Sequence, residues 1–114
     1  MNLTRSQRSI VAQFRSGTLP LRIETGRFTG LKIEERLCLI CKDNISIETE
    51  THFLLECSHY TKERDIFLNE TAIELMLSKD YMIKKLFNDY PRKLSKFLAK
   101  ILDLRKDVEY MQVI

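Results

Sequence analysis

The chain has 114 residues, of which 44% are hydrophobic and 31% charged, with a formal net charge of +3. This length and composition predict a single domain with a modest core, and no apolar run approaches the about 20 residues that a membrane-spanning helix needs. Positive charge gathers at the two ends. Residues 1–41 carry seven basic and three acidic side chains, residues 42–80 carry four and nine, and residues 81–114 carry eight and four. This distribution fits a nucleic-acid surface, and it fits two solvated faces equally well.

The first segment, residues 1–17, is predicted to form an amphipathic helix. Thr4 and Gln7 match a capping box at its start, and Gly17 suits a left-handed stop at its end. The buried stripe is expected to comprise Leu3, Gln7, Ile10, Val11 and Phe14.

The side of this helix opposite its apolar stripe is rich in arginine. Arg5, Arg8 and Arg15 fall within about 80° of one another around the helix axis, an arrangement that can bind phosphates or simply face solvent. Arg22 and Arg27 add positive charge in the next segment. These five arginines are the candidate nucleic-acid contacts.

Residues 18–37 are predicted to form an ordered loop. Pro20, Gly26 and Gly30 interrupt any regular periodicity, and the two glycines do not have the spacing of a phosphate-binding loop. This loop leads directly into the segment that carries every cysteine of the chain.

The segment 38–57 has the spacing of a zinc knuckle. Its pattern is Cys38-x2-Cys41-x10-His52-x4-Cys57, four ligands of the type that bind one tetrahedral zinc ion. Four protein ligands leave no open position for a catalytic water, so the predicted zinc is structural.

These residues also fit other interpretations. Cys38 and Cys41 could form a redox pair, but no βαβ context is visible, and the thiols could also be incidental core groups. An odd number of cysteines with no apolar leader argues against a disulfide scaffold and favours a reducing compartment, nucleus or cytoplasm. His59 is the alternative to Cys57 as fourth ligand, although its separation from His52 exceeds the usual histidine spacing.

The short helix that carries His52 must end before Cys57. Five residues of α-helix rise about 7.5 Å, too far for two ligands of one metal ion. The chain is therefore expected to turn just before Cys57, with Thr49 capping the helix and Ser58 capping the next one. The negative charges of Glu48 and Glu50 are expected to stabilise the N-terminus of the His52 helix, where the helix dipole is positive.

Residues 58–114 are predicted to be helical. One helix should run from about His59 to Leu77, with a break near Asn69 or a second capping box beginning at Thr71. A further short helix should open at Ser78 or Asp80, and Pro91 should lie in the first turn of the last helix. The apolar stripe of that last helix comprises Leu94, Phe97, Leu98, Ile101, Leu102, Arg105 and Val108.

The sequence does not predict an enzyme. It contains neither the nucleophile elbow G-x-S-x-G nor the zinc-protease motif H-E-x-x-H, and zinc would occupy every cysteine. The ligand order also differs from the nucleic-acid deaminases, in which H-x-E precedes P-C-x-x-C. The predicted fold is mainly α: a small domain of four to five helices organised around one structural zinc knuckle.

Three stretches of the sequence resemble the C-terminal tail of LINE-type (non-LTR) retrotransposon reverse transcriptases. They are residues 19–28 (LPLRIETGRF), residues 35–41 (ERLCLIC) and residues 48–60 (ETETHFLLECSHY), with a looser likeness over residues 94–102. The chain lacks the Tyr-x-Asp-Asp polymerase motif, so it is not expected to copy RNA itself.

This resemblance implies a zinc module that helps a parent polyprotein to hold RNA or target DNA. The implied ligands are Cys38, Cys41, His52 and Cys57, and the implied partners are nucleic acid and the reverse transcriptase and endonuclease regions of that polyprotein. The alternative function is a zinc-stabilised structural or protein-interaction domain that makes no contact with nucleic acid.

Overall fold

The computed structural model describes residues 3–71 and 78–113, with side chains described as far as Val108. This part of the chain contains five α-helices, confirming a mainly helical domain. They are α1 (Arg5–Ser16), α2 (Arg22–Phe28), α3 (Thr61–Thr71), α4 (Lys79–Asp89) and α5 (Pro91–Val113). Short 3₁₀ turns span Ile33–Glu35 and Ser58–Tyr60, and a π-helical turn spans His52–Glu56.

Helix α5 is the centre of the domain, since α1, α3 and α4 all pack against it. Its apolar stripe is buried as the heptad-like spacing predicts, from Leu94 to Leu102. Phe67 of α3 and Phe97 of α5 stack with ring centroids 4.4 Å apart, while Phe14 of α1 meets Phe87 of α4 at 5.5 Å. The aromatic pairs therefore link α3 to α5 and α1 to α4.

Helix α1 begins and ends as its sequence predicts. The Thr4 side chain accepts a hydrogen bond from the Gln7 amide, and the Gln7 side chain accepts one from the Thr4 amide, so the capping box is complete. Gly17 closes the helix with φ of 69°, a left-handed conformation that costs glycine little. Val11 and Phe14 supply its buried contacts.

The prediction of a loop over residues 18–37 was wrong for Arg22–Phe28, which form α2. The local sequence offers no side-chain cap, because the N-cap residue is Leu21. The cap comes from far along the chain: a carboxylate oxygen of Glu48 accepts a hydrogen bond from the Arg22 amide at 2.7 Å. Local helix propensity cannot predict a cap that comes from a residue 26 positions away in the sequence.

A glycine inside α2 also misled the prediction. A side chain at Gly26 would place its Cβ 2.5 Å from Cγ of Arg36, so only glycine lets that arginine cross the helix. The Arg36 guanidinium then donates to the carbonyl of Ile23 at 2.9 Å and to that of Leu31 at 2.9 and 3.1 Å. These hydrogen bonds satisfy one carbonyl in the first turn of α2 and one just beyond its C-terminal end.

The C-terminal helices largely follow the sequence pattern. Ser78 caps α4 by accepting from the Tyr81 amide, and Pro91 opens α5. The predicted cap at Ser58 was wrong, because Cys57 is the N-cap of the turn that precedes α3. Residues 72–77, which include most of the second predicted capping box, lie outside the described residues. Among the described residues, no helix combines the length and apolar character needed to cross a bilayer.

Candidate metal centre

Two backbone segments bring the four predicted ligands together. The first is a tight hairpin in which Leu37 and Ile47 form an antiparallel bridge, and the Cys38 amide donates to the Ser46 carbonyl at 2.8 Å. At its tip, Lys42 and Asn44 adopt positive φ values of 54° and 64°. This hairpin turns Cys38 and Cys41 toward the same side of the loop.

The second segment carries His52 and Cys57. The Thr49 hydroxyl caps its helix by accepting from the His52 amide at 3.1 Å, as predicted. The helix then widens into a π-turn, so that the Cys57 amide donates to the His52 carbonyl at 2.7 Å. This hydrogen bond, from residue i+5 to residue i, folds Cys57 back over His52. The two ligands can therefore lie closer together than the rise of about 7.5 Å for five residues of regular α-helix would allow.

Arg64 of α3 holds this widened turn in place. Its guanidinium donates to the carbonyls of Leu54 at 2.9 Å and Phe53 at 3.4 Å. Arg64 is only 7% exposed, and burial lowers its pKa because desolvation disfavours the charged form. Sequence reasoning missed this residue, although a lone arginine near apolar core positions of a helix indicates a buried acceptor.

The four ligand atoms, three Sγ and one imidazole nitrogen, all lie within 4.8 Å of one another. The sulfurs of Cys38 and Cys57 are 3.9 Å apart, and Cys41 Sγ is 3.6 Å from His52 Nε2. Tetrahedral zinc with bonds of about 2.3 Å to sulfur and 2.0 Å to nitrogen separates its ligands by roughly 3.8 Å (S to S) and 3.5 Å (S to N). The cluster therefore has the dimensions and the donor types of a four-ligand zinc site, and it could hold one metal ion.

The electrostatics of the cluster favour one thiolate, that of Cys38, while burial raises the pKa of the Cys41 thiol. The hydrogen bond from Cys57 lowers the pKa of Cys38 to about 3, helped by the backbone amides of Ile40 and Cys41, and the same pairing together with burial raises the pKa of Cys57. Burial opposes protonation of His52, but its hydrogen bond to Cys38 and the charge of that thiolate raise the pKa of the imidazole. A cation at the centre would favour ionisation of the other two thiols as well.

The site is part of the hydrophobic core. Cys38 and Cys57 are 2% and 0% exposed, and Phe53, Leu54 and Tyr60 surround them in the same buried cluster. The ring of Tyr60 lies edge-on to Phe53 with centroids 5.4 Å apart. A metal ion held here would therefore stabilise core packing as well as one surface loop.

His59, the alternative ligand, lies outside the cluster. It is exposed on the 3₁₀ turn after Cys57, and its ring packs edge-on against Tyr60 at 5.2 Å. The geometry thus favours Cys57 as the fourth ligand.

The difference between Cys57 and His59 can be measured directly. Cys57→Ala should reduce zinc occupancy strongly, because three ligands bind a structural zinc much more weakly than four, whereas His59→Ala should retain it. Native mass spectrometry of both variants, purified with one equivalent of zinc, gives the comparison. The reverse pattern would establish a site with two cysteines and two histidines.

The five candidate arginines do not form one continuous free surface. Arg5, Arg8 and Arg15 are exposed along α1, and Arg15 also lies over the Phe87 ring at 5.0 Å. Arg22 is half-buried, and Arg27 forms an ion pair with Glu24 at 3.1 Å. The α1 stripe is therefore the part of this set that remains open to a ligand.

No family model matches this chain, and no curated protein or solved structure shows significant similarity to it.

Proposed function

We propose that this chain is a zinc-stabilised nucleic-acid-binding module of the kind found at the C-terminal end of LINE-type retrotransposon reverse transcriptases. The observation that carries the proposal is the cluster of buried Cys38, His52 and Cys57 with half-buried Cys41, in which the Cys38–Cys57 and Cys41–His52 separations match tetrahedral zinc. Those four positions are also the ones that the family resemblance assigns as ligands. In this proposal the metal is structural and the chain has no catalytic role.

The exposed arginines of α1 support the contact with nucleic acid. Arg5, Arg8 and Arg15 line one side of a helix whose opposite side packs on α5, so their charges project from a rigid support. Guanidinium groups bind phosphate oxygens well, and contacts of this type give affinity without sequence preference. The proposed ligand is therefore the phosphate backbone of RNA or DNA.

Nucleic-acid binding should appear at micromolar strength in low salt. Three or four phosphate contacts predict a slope of log affinity against log salt of roughly −2 to −4, because each contact contributes about 0.7 to 0.9. Arg8→Glu combined with Arg15→Glu should flatten the slope by about 1.4 to 1.8, with unchanged zinc content and helicity. Fluorescence anisotropy with a labelled oligonucleotide at two or more salt concentrations measures both effects.

A matched control is available on another part of the surface. Lys62→Glu with Lys84→Glu changes the net charge equally, at exposed positions of α3 and α4, and should weaken binding less than the α1 pair. Equal losses for the two double variants would mean that overall charge alone drives the interaction. No binding at the lowest salt, with zinc bound and the fold intact, would contradict the proposal.

A protein-interaction domain is the second candidate function, and exposed apolar side chains favour it. Phe28 and Ile45 are 80% and 82% exposed, and Ile33 and Leu39 are also exposed. All four lie in or beside α2 or the hairpin of residues 37–47 that carries Cys38 and Cys41, here called the zinc hairpin, where a protein partner or the rest of a larger polyprotein could cover them. The apolar stripe of α5 does not contribute, because α1, α3 and α4 cover it from Leu94 to Leu102.

A further inference from the structure

The metal centre has a second layer that the ligand motif does not reveal. Nε2 of His52 faces Cys41, so a neutral imidazole that binds metal through this atom carries its proton on Nδ1. Nδ1 is buried and has no hydrogen-bond partner among the described residues. The nearest carboxylate oxygen, Oε1 of Glu56, lies 3.6 Å away, slightly beyond hydrogen-bonding distance.

Glu56 is well placed to close this gap. It lies four residues after His52 on the same π-turn, and its side chain is 37% exposed, so a shift of a few tenths of an ångström meets little resistance. Its other oxygen, Oε2, forms an ion pair with the ammonium group of Lys79 at the start of α4. One carboxylate thus joins the buried imidazole to a helix beyond the zinc hairpin.

We propose that Glu56 is a positioning residue of the metal centre, and that Lys79 fixes it. The carboxylate accepts a hydrogen bond from the Nδ1–H of His52, which selects the tautomer with Nε2 free for the metal and increases the basicity of that nitrogen. Lys79 holds the carboxylate toward the ring. Its backbone is fixed, because it is the first residue of α4 and directly follows the Ser78 cap. The inference rests on the proposed zinc site.

The position of Glu56 in the sequence also suits this role. A histidine followed four residues later by glutamate places a carboxylate on the same side of a helical turn, and the next residue, Cys57, then completes the ligand set. Glu56 thus lies between two ligands in sequence and contacts only the outer edge of the site. Its removal should weaken the metal site without removing a bond to the metal.

Zinc affinity measured by competition with a chromophoric chelator tests the inference. Glu56→Ala should lower the affinity of the full chain about tenfold, the lower end of the range for outer partners of metal-bound histidine, because the pair is partly exposed. Glu56→Gln, which can still accept a hydrogen bond but carries no charge, should lose less. Lys79→Ala should lose less than Glu56→Ala, and its loss should shrink as salt is added.

Glu70→Ala is the matched control, since it removes an exposed glutamate of α3 and should leave zinc affinity unchanged. Nitrogen-15 NMR of the zinc-bound chain supplies a readout specific to positioning: wild-type His52 should show a protonated Nδ1 with slow hydrogen exchange, and Glu56→Ala should exchange faster. Equal zinc affinity and equal exchange in Glu56→Ala and Glu70→Ala would overturn the inference alone. A wild-type chain that binds no zinc would overturn the metal centre and this inference together.

Discussion

Chelation of zinc should unfold the segment 38–57 and remove most of the stability of the domain. Structural zinc in small modules contributes on the order of 10 kcal/mol or more, which is comparable to the whole stability of a chain of this size. The effect should be large here because Cys38 and Cys57 lie inside the core with Phe53 and Tyr60. Native mass spectrometry should show one zinc per chain, and thermal unfolding with and without a chelator should give the loss.

Cys41→Ser tests the same expectation without a chelator. Serine preserves the size of the side chain but is a poor zinc ligand, so zinc occupancy and the melting temperature should both fall. Ile45→Ser is the control, since it places the same residue at an 82% exposed position of the same hairpin and should alter neither. Full zinc occupancy and an unchanged melting temperature in Cys41→Ser would show that the ligand assignment is wrong.

The sequence contains enough information for the ligand cluster because ligand spacing is a local property. A pair of cysteines separated by two residues needs only one tight turn, and the rise of a helix requires Cys57 to follow the end of the His52 helix. The π-turn that achieves this was not predictable, because its carbonyls are satisfied by Arg64, ten and eleven residues away. The same holds for Lys79, whose contact with Glu56 spans 23 residues.

Helix α2 shows the limit of local reasoning most clearly. A glycine in its interior and the absence of a capping side chain both predict a loop. The helix forms because Glu48 caps it from across the chain and Arg36 fills the space beside Gly26. Its stability is therefore a property of the assembled domain.

The role predicted for Glu48 was also wrong. Its charge was expected to act on the helix that carries His52, yet its side chain is 1% exposed and points away to α2 and α5. Arg105 of α5 donates to both of its carboxylate oxygens, at 2.8 and 2.6 Å. Arg105 falls within the otherwise apolar stripe of α5, and a single arginine in such a stripe indicates a buried acidic partner.

This buried pair joins three parts of the fold. Through Glu48, the strand-like edge of the zinc hairpin, the start of α2 and the C-terminal half of α5 share one carboxylate. Burial opposes the charge on Arg105, but the hydrogen bonds and charge of Glu48 raise the pKa of its guanidinium, so Arg105 stays charged. The metal centre and the longest helix are thereby coupled by contacts that involve no metal ligand.

Breaking this pair from one side should be strongly destabilising. Arg105→Met should cost about 3 to 5 kcal/mol, because it leaves a buried carboxylate without its counter-charge, and Glu48→Gln should cost a similar amount by leaving a buried guanidinium. Chemical denaturation in saturating zinc measures both, with Lys106→Met and Glu34→Gln as exposed controls expected to remain within about 0.5 kcal/mol of the wild type.

The double variant Glu48→Gln with Arg105→Met should be more stable than the sum of the single losses predicts. Removing both charges removes both desolvation penalties, while the glutamine oxygen can still accept the hydrogen bond from the Arg22 amide that caps α2. The coupling energy from this double-mutant cycle should therefore exceed about 2 kcal/mol. Additive losses, or single variants as stable as their exposed controls, would mean that the pair does not hold α5 to the zinc hairpin.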